Sequence, residues 1–148
     1  MIVIGCDHAA LEMKNKLVKY LQDSGREVKD LGCYSEASVN YPDYGEKVAL
    51  EVVQGNAEYG IVICGTGLGI SMAASKVPGT RVALCTDITM ARLSREHNNA
   101  NILALGARVI GQVVAEDITE TFLTTGFLGG RHGIRVDMLA ELDKKYKK

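Results

Sequence analysis

The chain has 148 residues, with 17 basic against 18 acidic side chains and a formal charge of -1. That length suits one domain with a single core, and the near-balance of charge excludes a global field that would gather nucleic acid or an anionic membrane. Any anion it binds must be held locally. No apolar run approaches the roughly 20 residues that span a bilayer, and "MIVIGCDHAA" has neither the basic start nor the length of a signal peptide. The expectation is a cytoplasmic protein with no nucleic-acid or membrane partner. Cys6, Cys33, Cys64 and Cys85 are scattered without a C-x-x-C pair, which suits a reducing compartment better than a disulfide framework or a zinc knuckle.

One rhythm runs through the chain: a short β-branched run, then a helical pattern. Residues 2–5 (IVIG) predict a strand, and Ala10, Met13, Leu17 and Leu21 recur at helical spacing with Gly25 as the stop. The run at 27–31 (EVKDL) is more polar and predicts an edge strand. Pro42 opens a helix with Tyr44, Val48 and Val52 on one face, ending near Gly55. Strand 60–64 leads through "GTGLG" to a helix of about 69–77, and strand 81–85 (RVALC) to a helix of about 87–97. Strand 101–105 (NILAL) leads to a helix of about 112–124, then to "GFLGGRHGIR" and a last helix of about 135–146. Such alternation implies right-handed crossovers and a parallel sheet covered on both faces. No linker or fixed-period repeat divides the chain, so residues 1–148 read as one domain.

In a parallel sheet all strands end on one edge, where ligands of open α/β folds bind. Asp7, His8, Cys64, Thr66, Cys85 and Asp87 all fall at or just after those ends. Cys64 closes a buried run, and the glycines after it allow a tight turn whose N–H groups and following helix N-terminus face the sulfur. A helix N-terminus stabilises a neighbouring anion by about 0.3–1 kcal/mol, and about 2 when partly buried, which favours a thiolate.

Plainer readings stand beside these. "GTGLG" has Ile70 where the last glycine of G-x-G-x-x-G belongs and no P-loop lysine, so alone it is a tight strand-to-helix turn. Asp87, after the next strand, leaves a dinucleotide reading open. Cys6 and Cys85 read as buried hydrophobes, Asp7 as a helix cap, and His97 as a residue that complements a helix C-terminus. No two metal ligands have local spacing, so no metal is expected. In "GGRHGIR", however, Arg131, His132 and Arg135 lie among glycines. Arginine forks match phosphate geometry, and a small phosphorylated metabolite is the inference.

The ordered strings "GCDHAA", "CGTGLGIS", "REHNNANILALGARVIG" and "GGRHGIRV" resemble the type B ribose-5-phosphate isomerases, in a family that also includes galactose-6-phosphate isomerase subunits. The likeness covers nearly the whole chain; one departure is Ala10, where "DHA" is often followed by glycine. It implies a Rossmann-like three-layer α/β/α sandwich with a five-stranded parallel sheet, a homodimer or dimer of dimers, and no metal or nucleotide cofactor. It also implies that Cys64 is the base moving a proton between C1 and C2 of a sugar phosphate, and that His97 opens the furanose ring. Asp7, His8, Thr66, Gly67, Leu68, Gly69, Ile70, Asn98, Arg108, Arg131 and Arg135 would line the substrate, with Thr66 joining the catalytic group. Isomerisation through an enediolate needs one base that reaches both carbons and fixed donors for the developing oxyanion, which the 66–70 turn can offer. Whether the sugar is ribose 5-phosphate, allose 6-phosphate or galactose 6-phosphate stays open, as do a nucleotide-binding module and a thiol switch.

Topology and resemblance conflict within one chain. A helix of about 87–97 runs back from the edge carrying Cys64, and eleven residues span about 16 Å. Two groups so far apart cannot act on one small sugar. The expectation is that His97 comes from a neighbouring subunit, that the segment 126–135 crosses over with it, and that the C-terminal helix packs on the partner.

Overall fold

The apolar runs pair as parallel strands because each is followed by a helix that must return over a sheet face before the next strand begins. The computed structural model describes residues 1–147. Its strands are β1 (Ile2–Cys6), β2 (Val28–Asp30), β3 (Tyr59–Cys64), β4 (Val82–Leu84) and β5 (Ile102–Gly106), in the order β2-β1-β3-β5-β4. All four pairings are parallel. The polar β2 is an edge strand, as its composition predicts.

Alternation along the strands sorts two cores. Ile2, Ile4 and Cys6 of β1, Ile61 and Ile63 of β3, and Leu103 and Leu105 of β5 face one way. They pack against Met13, Leu17 and Leu21 of α1 (Leu11–Asp23), Ala91 of α4 (Ile88–Asn98), and Ala115, Ile118 and Phe122 of α5 (Gln112–Thr124). Val3, Val62, Cys64, Ile102 and Ala104 face the other way, against Val48, Ala49 and Val52 of α2 (Tyr41–Val53) and Ile70 and Ala74 of α3 (Leu68–Ser75). The predicted α/β/α sandwich is therefore present.

Local starts and stops follow the sequence with three adjustments. A 3-10 turn, His8–Ala10, precedes α1 because the Asp7 carboxylate accepts the Ala9 N–H. Helix α3 stops at Ser75, two residues short of the expected end and three before Pro78. The third is larger: α6 spans Arg131–Tyr146, so Arg131, His132 and Arg135 lie inside a helix rather than in a glycine loop before one. The break falls at Gly129 and Gly130, which hold positive φ of 71° and 58°, while Gly133 is accommodated within the helix.

One buried charge ties the β2 edge to the body. Lys14 of α1 is fully buried, and its Nζ donates to Asp30 Oδ2 at 2.6 Å. Asp30 also accepts the Gly32 N–H through Oδ1, and the ammonium lies over the Tyr34 ring. Removing the lysine leaves a carboxylate without its cation and a void where the four-carbon stem lay. Lys14→Ala should therefore lower stability by about 2–4 kcal/mol, read as a shifted urea midpoint at unchanged slope; a loss below about 1 kcal/mol would show the pair to be unimportant.

Candidate active site in two halves

The first half lies where β1 and β3 end. Cys6 pairs with Ile63 in register, so the next residues, Asp7 and Cys64, stand side by side at the strand-end edge. Cys64 is 5% exposed, and its Sγ accepts the Gly67 N–H at 3.2 Å. Thr66 Oγ1 accepts the Leu68 N–H at 3.1 Å and is held at the mouth of the turn, while Leu68, Gly69 and Ile70 form the first turn of α3. Early helical N–H groups have no carbonyl partner within their own helix, so this turn presents donors beside the sulfur.

Two glycines make the turn possible. Gly67 has φ 80°, and a methyl there would lie 2.5 Å from Leu84 Cδ1 and 2.9 Å from the Leu105 carbonyl carbon. Gly106, paired with Cys64 in the sheet, lies so close to Thr66 that a methyl would fall 2.5 Å from its carbonyl oxygen. The turn is pressed directly against β5. Chain hydrogen bonds then carry β5 over it: Ala107 N–H donates to Cys64 O and Arg108 N–H to Gly65 O. The Arg108 side chain lies over Gly65, where a methyl would stand 3.3 Å from its Cδ and Nη1.

Asp7 and His8 complete this edge. Asp7 is buried and performs the capping role that its position suggests, while His8 Nδ1 accepts the Val39 N–H at 3.1 Å. Asp87 caps α4 by accepting the Met90 N–H, so the acid on which a dinucleotide reading depends is engaged locally. Tyr41, a residue the sequence reading does not single out, also belongs here. Its ring lies against Gly69, 2.7 Å from where a methyl would be. No local pattern announces that contact, since the two residues come from different crossovers.

The second half lies on the opposite edge. Helix α4 runs back from β4 over 11 residues, about 16 Å, and ends where strands begin: Arg81, just before β4, donates through Nε to Asn99 O and through its main-chain N–H to Asn101 Oδ1. His97 and exposed Asn98 are in that last turn. His97 stacks on His132 with ring centroids 4.2 Å apart and planes 12° from parallel. Arg131 and Arg135 stand four residues apart at the start of α6, hence on one helix face. Burial, then the nearby charges of His97, Arg131 and Arg135, lower the His132 pKa and favour its neutral ring. The His97–His132 pairing joins residues 35 positions apart, and nothing in either local string predicts it.

The candidate residues thus fall into two groups within one chain. Asp7, His8, Cys64, Thr66, Gly67, Leu68, Gly69, Ile70 and Arg108 share the strand-end edge, and His97, Asn98, Arg131 and Arg135 share the strand-start edge.

The thiols differ in what surrounds them. Burial, helped by the neighbouring Cys33, pushes the Cys6 thiol up to about 12, and burial, helped by Asp87, pushes Cys85 up to about 12. Both should stay protonated and unreactive at about pH 8. In folded protein at that pH, iodoacetamide should label Cys64 well before Cys6 or Cys85 by peptide mass mapping; comparable labelling of either buried thiol would contradict this account.

Residues 2–139 match the family model described as Ribose/Galactose Isomerase. The chain is 42% identical over 144 residues to ribose-5-phosphate isomerase B of Escherichia coli, covering 97% of each chain. It is 38% identical to the galactose-6-phosphate isomerase subunit LacB of Clostridium acetobutylicum, covering 97% of this chain and 86% of the other. Among solved structures, ribose-5-phosphate isomerase B of Clostridium thermocellum superposes with a TM-score of 0.97 at 54% identity over 98% of each chain. With a matching family model, a full-length relative and a near-identical fold, this chain belongs to the ribose/galactose isomerase family.

Proposed function

We propose that the protein interconverts ribose 5-phosphate and ribulose 5-phosphate, with Cys64 as the base and with each active site built from two subunits. The observation that carries this reading is the Cys64 sulfur, held at a strand end by the Gly67 N–H and set beside the first turn of a helix. The family membership supplies the reaction class.

In this mechanism the Cys64 thiolate takes the proton from C2 of the open-chain aldose. The electrons move into the C1 carbonyl, giving an enediolate whose oxygen charge is met by the Thr66 hydroxyl and by the Gly69 and Ile70 amides of the 67–70 turn. The proton returns to C1 while the proton on the C2 oxygen passes to the C1 oxygen, and the ketose results. One thiolate serves both carbons because they are adjacent. His97 gives the ring oxygen a proton when the cyclic sugar opens; histidine is the side chain best able to give and take protons near neutrality. Arg131 and Arg135 hold the phosphate by charge-assisted bonds, and Asp7, His8, Asn98 and Arg108 orient the hydroxyls.

A dimer is needed because the two halves occupy opposite sheet edges of one chain. The exposed side chains support it. Ile134, Met138, Leu142 and Tyr146 recur every four residues along α6, each at least 50% exposed, and no residue of α6 is buried. A helix of that kind lacks a covering surface within its own chain. Leu68, Met72, Ile88 and Met90 are exposed around the starts of α3 and α4, beside the Cys64 turn. A second copy that covered both patches would bring its His97 and arginines to this chain's thiol. The C-terminal helix accordingly packs on the partner.

The substrate is settled by assay. Turnover of ribose 5-phosphate should exceed that of allose 6-phosphate and galactose 6-phosphate, and Cys64→Ser should lose most of it while keeping the fold, since a hydroxyl yields negligible alkoxide near neutral pH. Faster turnover of galactose 6-phosphate would favour the second reading, to which the LacB relative points. Near-normal activity of the serine variant would remove the thiolate base.

Site sharing has its own test. Inactive Cys64→Ala and inactive His97→Ala chains are mixed, exchanged to equilibrium and assayed on the cyclic sugar. About half of the dimers are then mixed, each with one intact site, so roughly a quarter of wild-type activity should return. Exchange verified by mass with no activity would place both residues in one chain's site.

A further inference from the structure

We propose that Arg95 is a positioning residue: its guanidinium clasps the end of α4 to the segment that follows α5, and so sets His97 against the Arg131–His132–Arg135 turn. The proposal rests on the reading of those residues as the acid and phosphate half of the site.

Arg95 is 5% exposed, and among the described residues it makes no ion pair with a carboxylate. A buried cation without a carboxylate is costly unless its donors are satisfied and its position constrained. Here Nε and one terminal nitrogen are engaged by acceptors from two separate segments. One terminal nitrogen donates to Asn99 Oδ1 at 2.9 Å and to Ala100 O at 2.6 Å, while Nε donates to Thr125 O at 3.1 Å. The faces of Tyr59 and Phe122 lie 4.9 and 5.8 Å from the guanidinium carbon and hold its plane. Filling that volume alone would require only an apolar side chain.

What distinguishes the arrangement is where the acceptors belong. Asn99 and Ala100 follow His97 and Asn98 directly, and Thr125 opens the connection that ends at Arg131. That connection runs through Gly126, Gly129 and Gly130 and carries no helix or strand. Besides the Arg95 bond, it is pinned to α4 by the Leu128 N–H donating to Glu96 O at 3.1 Å. Arg81 donates to the main-chain oxygen of the same Asn99, so two guanidinium groups converge on one turn, and burial followed by the Arg95 charge lowers the Arg81 pKa. The α4 end is therefore fixed from the sheet by Arg81 and from the α5–α6 connection by Arg95. Without Arg95 the helix end would stay, and the connection would lose its register against it.

The test uses full-length Arg95→Met, Arg95→Lys and Asn99→Gly, each checked by circular dichroism and native mass. Asn99 holds φ 47°, which glycine tolerates, so the last variant removes one acceptor with the backbone intact. The chain has three histidines. In Arg95→Met the imidazole NMR signals of His97 and His132 should shift while that of His8, on the opposite edge, stays in place. The KM for ribose 5-phosphate should rise about tenfold, roughly the worth of one hydrogen bond to a charged group, with a smaller change in kcat. Arg95→Lys should restore part of this. If Arg95→Met does not fold, Asn99→Gly decides, with the same two signals moving and a rise of about threefold in KM. Unmoved histidine signals or an unchanged KM in the folded variant overturns the proposal. Arg131→Ala and Arg135→Ala serve as controls for the reading beneath it: if neither changes KM while Arg95→Met still moves the two histidine signals, the clasp stands and the phosphate reading falls.

Discussion

The parallel pairing of β1, β3 and β5 is the constraint on which the rest of this molecule depends. Parallel strands require crossovers, and each crossover helix carries the chain back from the edge where strands end to the edge where they start. A residue at a strand end and a residue at the end of the following helix are therefore separated by the length of the strands. Cys64 closes β3 on one edge, and His97 closes α4 on the other. Folding of one chain leaves them apart.

The strand-end half is made by backbone packing more than by side chains. Gly67 and Gly106 let the turn after Cys64 lie directly on the end of β5, closer than any residue with a Cβ would permit. That contact aims the Gly67 N–H at the sulfur and sets the axis of α3 beside it. The resulting donors are fixed before a ligand arrives, which is the condition under which dipoles stabilise developing charge without a reorganisation cost. By contrast, Cys6 and Cys85 sit beneath comparable strand ends with no such turn, and burial leaves them as protonated, inert thiols.

The strand-start half is organised differently, by cations against carbonyls and by ring stacking. Arg81 and Arg95 both meet the α4 end at Asn99, and the His97–His132 stack binds α4 to α6. Two guanidinium groups, Arg131 and Arg135, remain exposed beside that stack. Arg95, whose charge is used for structure, is buried, whereas Arg131 and Arg135 stay exposed. The uncovered apolar stripe of α6 runs on from the same turn, so the exposed apolar surface and the exposed cations are continuous.

The sequence by itself determined the strand–helix alternation, the polar edge strand, the two-sided sheet and the place of Cys64, because each follows from local periodicity and from glycines at fixed offsets. It also carried the separation of Cys64 from His97, since helix length and strand direction are local quantities. The start of α6 was not legible: Gly130 and Gly133 look alike in the string, yet the first breaks the chain at positive φ and the second lies within helix. Only the tertiary structure decided that Tyr41 lies on Gly69, that His132 stacks on His97 and that Arg95 joins two segments. Those contacts arise between residues brought together by different crossovers, and their energy depends on relative placement that no short window of sequence encodes.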